Sequence, residues 1–199
     1  MTKSTGKQQS SLMLALLPLV LLYACTVTLY ALTRDDLGGT SAYWGYFVPV
    51  VAFISLITAW GNAYARGDSR LFYLIKQIII WGAFIWVLML LQKIGADTAL
   101  GGQKATVAIV LMTALVSLLV GLYLDSKMFF YGAYLGLCGY LLADPSHSAV
   151  LAKIGETFKV VDAPNKPLTM MIAIAVVAFL VSAFLLMSTR GSVAAKRAS

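Results

Sequence analysis

Five stretches of about twenty residues, each almost free of charge, limit this chain more than any other feature. They are Leu12–Leu32, Trp44–Tyr64, Leu71–Leu91, Ala105–Leu124 and Leu168–Met187. A bilayer hydrocarbon core about 30 Å thick takes roughly 20 apolar residues of helix to cross. Only structures that satisfy every backbone N–H and C=O internally can do so. A sixth run, Met128–Ala143, is shorter, about 24 Å at a rise of ~1.5 Å per residue. It ends at Asp144-Pro145, and local thinning of the bilayer or burial among neighbouring helices would let it cross. The expected fold is therefore an all-α, polytopic membrane bundle of six transmembrane helices forming one domain over residues 1–199.

Composition agrees: 60% of the 199 residues are hydrophobic and 12% charged. Soluble domains hold about 45–50% apolar and ~25% charged residues. The net charge of +7 raises the question of nucleic acid, but no polar segment carries a basic stripe with interleaved aromatics, so no nucleic-acid partner is expected. Topology explains the excess better. With the N-terminus cytoplasmic, six crossings return the C-terminus to the same side. Lys3, Lys7, Arg66, Arg70, Lys76, Lys127, Arg190, Lys196 and Arg197 then lie inside, against Asp68 and Asp125. Six basic and six acidic residues lie outside. Short loops rich in Lys and Arg stay cytoplasmic, so both termini are expected inside, in a bacterial inner membrane.

The stretch before Cys25 resembles a lipoprotein signal in having a basic start and an apolar run. The run nevertheless continues to Leu32, whereas a secretory apolar region is about 7–15 residues, and Tyr23 is a poor residue two before a lipidated Cys. A retained helix is expected, with Cys25 a small buried hydrophobe.

The loops at 33–43 and 92–104 are Gly-rich and polar, suited to turns. Asp125-Ser126-Lys127 joins two helices so tightly that they must be antiparallel neighbours. The segment 145–161 differs, because Val150, Leu151, Ile154, Phe158 and Val161 share one face at helical spacing, with Lys153, Glu156 and Lys159 opposite. An amphipathic helix at the outer interface, or one capping the bundle, is expected there.

The chemistry is sparse. No Asp or Glu lies inside a predicted span, where such residues mark ion and proton paths. His147 is the only His, and with two Cys it makes no zinc site of the usual kind. No nucleophilic triad or phosphate loop appears, so the chain is expected to be no enzyme and to need no cofactor. Small residues give a positive signal. Gly132, Gly136, Gly139 and Ala143 share one face of the fifth crossing, and Thr113, Ser117 and Gly121 repeat the device on the fourth. Such faces let backbones approach closely in lipid, either within the chain or against another subunit. A polar face also exists: Ser55, Thr58 and Asn62 on the second crossing, with Lys76, Gln77 and Trp81 on the third. It reads as a small cytoplasm-facing cavity, or as Lys76 snorkelling to the interface. Three functions remain: a non-catalytic subunit or assembly partner of a larger membrane complex, a small oligomeric permease or channel, and a lipid-handling protein.

Overall fold

The structure is a computed structural model and describes residues 4–66, 70–143, 148–158, 160 and 163–198. Every regular element among them is helical. The elements are α1 (Ser4–Asp35), α2 (Ser41–Arg66), α3 (Arg70–Lys93), α4 (Ala96–Leu100), α5 (Gly102–Tyr123), α6 (Ser126–Ala143), α7 (Ser148–Phe158) and α8 (Pro167–Ala198). A single 3-10 turn, Ala163–Asn165, precedes α8. Windows in α1, α2, α3, α5 and α8 are long and apolar enough to cross a bilayer, so this is a multi-pass helical membrane protein.

α6 is not among those five. Three tyrosines and three glycines (Tyr131, Tyr134, Tyr140, Gly132, Gly136 and Gly139) dilute its apolarity, and their surroundings explain why that is tolerated. Met128, Tyr131, Leu135 and Cys138 are fully buried among α1, α5 and α8, so most of this helix meets protein instead of lipid. It begins at Ser126, two residues before the expected start. Asp125 caps it: the Lys127 amide donates to Asp125 Oδ1 at 3.3 Å, satisfying one orphan N–H of the first turn.

Hydrogen bonds between helices fix two ends of the bundle. At the upper end the Trp44 indole donates to Thr33 Oγ1 at 2.7 Å, and the Thr106 hydroxyl donates to the Leu37 carbonyl at 2.9 Å. At the lower end the Tyr73 hydroxyl donates to the Leu124 carbonyl. α5 and α6 form the most extensive pair. Gly121 lies against Phe129, Gly132 against Ala114 and Leu118, and Gly139 against Val110 and Leu111. That register runs α6 antiparallel along α5 from the lower end nearly to its start.

On α1 the inward stripe is Leu19, Leu22, Tyr23, Thr26, Tyr30 and Thr33, all buried. Tyr23 meets Tyr131 edge to face at 5.4 Å between centroids, and Thr26 Oγ1 lies 2.9 Å from the Tyr131 hydroxyl. Cys25 falls off this stripe and is exposed, which corrects the expectation of a buried thiol. The aromatic residues near helix ends divide similarly. Tyr43 and Tyr123 face outward, while Tyr30 and Trp44 belong to the core.

The 92–104 connection is more than a turn. It holds α4, bracketed by Gly95 at φ 74° and Gly101 at φ 75°, conformations that cost glycine little and other residues much. α7 covers the upper end: Leu151 joins the core, with Ile154 packed against it, and Lys153 and Glu156 point outward. Phe158 and Val161 side chains lie outside the described residues.

Candidate functional site

The polar residues of α2 and α3 come together only in part. Ser55 and Gln77 are fully buried, and Gln77 Nε2 donates to Ser55 Oγ. Thr58 turns its hydroxyl back to the Ser55 carbonyl at 2.9 Å. Lys76 stays outside this group, exposed, with its ammonium 4.5 Å from the Phe72 ring centroid. That is the outcome expected of a side chain that snorkels rather than lining a pocket. Trp81 is buried beside Gln77, one turn along the same face. The Asn62 side chain lies outside the described residues. Gln77 Oε1, Trp81 Nε1 and, on α5, Ser117 Oγ are buried without a hydrogen-bond partner.

The small residues lie mostly within the chain. A Cβ on Gly132 would stand 2.6 Å from the Leu118 amide nitrogen and 2.9 Å from the Ala114 carbonyl oxygen. One on Gly139 would stand 2.6 Å from a Leu111 methyl, and one on Gly121 would stand closer still to the Phe129 amide nitrogen. Thr113 is buried, its hydroxyl donating to the Ile109 carbonyl at 2.7 Å, and Ser117 is buried nearby. Gly136 is looser, with Ala114 Cβ at 3.9 Å, and Ala143 is exposed.

A cavity of about 320 Å³ lies elsewhere, in the upper half of the bundle. α3 and α5 each pack more closely on α2 than on one another, which leaves a cleft between them with α2 as its back wall. Val48 and Leu88 form buried parts of the wall, while Met89 and Met112 are exposed at the flanks. α4 borders the upper end, at the mouth, through Ala96, Asp97 and Leu100. On α5 the lining runs from Ala105 to Met112, a depth of about 10 Å at ~1.5 Å per residue.

Two backbone features shape the mouth. Pro49 lines the cavity inside α2 and has no N–H to return to the carbonyl four residues back. That carbonyl belongs to Gly45, which also lines the cavity. The Gln92 amide nitrogen lies 3.3 Å from where a Gly45 Cβ would be, so glycine there makes room for Gln92. Asp97 is the one charged residue in the lining among the described residues. Sequence reasoning missed Gly45, Gln92 and Asp97. The available signal was Pro49 four residues after a glycine, within a span.

No protein-family model, curated protein or solved structure matches this chain.

Proposed function

We propose that this protein is a non-catalytic, multi-pass inner-membrane protein that holds the hydrocarbon chain of a lipid between α2, α3 and α5. The observation that supports the reading is the cavity. Its volume of about 320 Å³ falls in the roughly 300–1,000 Å³ range of ligand sites, which are mostly apolar with a few placed polar groups. Its walls are parts of three candidate spans, so the medium beside its flanks is hydrocarbon, and an acyl chain reaches it without crossing water. The subunit reading drew its motive from the small stripe, and Gly132 and Gly139 meet α5 inside the chain. The permease reading wants a polar path, and this cavity is apolar.

In the topology that goes with this reading, α6 is a sixth crossing, because it retraces α5. Both termini then lie on the cytoplasmic side with the cavity in the outer leaflet. Reporter fusions at Ser199 and at Gly101 are expected to give opposite signals, and matching signals would remove that orientation.

Filling the cavity tests the function. Ala108 lines it, and Ala108→Phe is expected to abolish the lipid that the wild type retains through purification in mild detergent, counted by mass spectrometry of the intact protein. Leu115→Phe, on an exposed position of the same helix, is expected to retain it. A wild type that carries no lipid, or an Ala108→Phe variant that carries as much, would refute the reading.

A further inference from the structure

The mouth of the cavity is chemically one-sided. Among the described residues its single charged group is the Asp97 carboxylate. The Thr98 amide donates to Asp97 Oδ1 at 2.9 Å, which fixes the carboxyl at the start of α4 and leaves Oδ2 as an acceptor. The Gly45 carbonyl, deprived of its helical donor by Pro49, is a second acceptor, and freed carbonyls in membrane helices are satisfied by neighbouring groups or water. The Gln92 side-chain amide lines the same cavity; its nitrogen faces Gly45, and its carbonyl oxygen is a third acceptor. Three acceptors at an apolar chamber, one of them the negatively charged carboxylate, suit a cation that carries several N–H donors, as a primary ammonium does.

Positive charge stands just outside. Lys93 is the last residue of α3 and Lys104 lies in the first turn of α5. Both are exposed, and neither lines the cavity. A negative group inside the mouth with basic groups around it complements a head group whose ammonium and phosphate carry opposite charges.

We propose that the cavity selects lipids with an ethanolamine-type head group, the ammonium held by Asp97, Gln92 and the Gly45 carbonyl, and the phosphate left to Lys93 and Lys104. The proposal rests on the reading that a lipid chain fills the cavity. An anionic glycerol head group would meet the Asp97 charge unpaired. A choline head group keeps the positive charge but has no N–H to donate, so it separates the charge from the hydrogen bonds.

The test is retention from an equimolar mixture of phosphatidylethanolamine, phosphatidylcholine and phosphatidylglycerol in detergent micelles, read by native mass spectrometry of the full chain. The wild type should favour ethanolamine over glycerol lipid by up to roughly five-fold, the upper end of what exposed charge pairs supply, with choline lipid between them. Asp97→Asn should bring the ethanolamine-to-glycerol ratio near one. Gln92→Leu, which removes the amide carbonyl, should lower the ethanolamine-to-choline ratio. Equal retention of all three lipids by the wild type, or a preference for the glycerol lipid, overturns the head-group inference and leaves chain binding standing. Retention of none of them overturns chain binding itself.

Discussion

Gly132→Ala is expected to destabilise the protein by about 1–3 kcal/mol, the usual cost of forcing extra volume into a packed core, whereas Gly136→Ala is expected to stabilise it slightly. The two sites lie one turn apart on α6 and differ in what faces them. At Gly132 the new methyl would meet backbone, the Leu118 amide nitrogen at 2.6 Å and the Ala114 carbonyl oxygen at 2.9 Å. Backbone cannot step aside as a flexible side chain does, so the α5–α6 pair must separate. At Gly136 the nearest atom is Ala114 Cβ at 3.9 Å, an ordinary contact. There the gain in helix propensity from glycine to alanine, up to about 1 kcal/mol, is free to appear. Thermal unfolding in one detergent, with both variants compared to wild type, measures the contrast. Equal shifts of the same sign would mean that the α5–α6 register is not the one described.

Lys127→Met is expected to cost more, about 3–5 kcal/mol, because it leaves a buried carboxylate without its partner. Lys127 Nζ lies 3.7 Å from Asp125 Oδ2, and the two side chains are 5% and 1% exposed. Asp125 also caps α6 through Oδ1, and both residues sit in the turn joining the two most intimately packed helices. The double variant Asp125→Asn with Lys127→Met is expected to recover most of the loss, since Asn keeps the cap and no charge remains buried. Chemical unfolding of the two single variants and the double variant closes the cycle. A cost for Lys127→Met below about 1 kcal/mol would match an exposed pair and would place the turn in water.

The helices were legible wherever lipid is the solvent. Residues such as Ile78, Ile79 and Trp86 on α3 face outward, and a lipid-facing helix must be apolar almost everywhere, which a sequence displays directly. α6 was fainter for the opposite reason. Buried among other helices, it spends its surface on Tyr131, Tyr134 and close-packed glycines, which lower its apolarity while tightening its contacts. Cys25 was misjudged because an all-apolar helix has no amphipathic signal, so nothing in α1 says which stripe faces the core. The internal pairing of Gly132 and Gly139 with α5 was one of two readings open to the sequence, since small stripes serve chains and assemblies alike.

The site was harder to see than the fold. Ser55, Gln77 and Trp81 drew attention as polar residues in apolar helices, yet two of them are occupied with each other at the core. The cavity instead arises from geometry: a cleft left where α3 and α5 diverge on α2, bordered at its mouth by a five-residue helix. Its polar groups, on Gly45, Gln92 and Asp97, come from three different elements. Gln92 and Asp97 sit in a connection that reads as an ordinary polar turn. Only the close approach of the Gln92 amide to Gly45 shows that the turn and the second helix form one mouth.

The central claim is that a lipid chain lies in that cleft, and electron density from crystals grown in a lipidic mesophase tests it most directly. A continuous tube of density between Met89 and Met112, running from Gln92 down toward Pro49 and missing from crystals of Ala108→Phe, is the predicted result. A wild-type cleft filled by its own side chains, with α3 closed onto α5 and no chain between them, would contradict it.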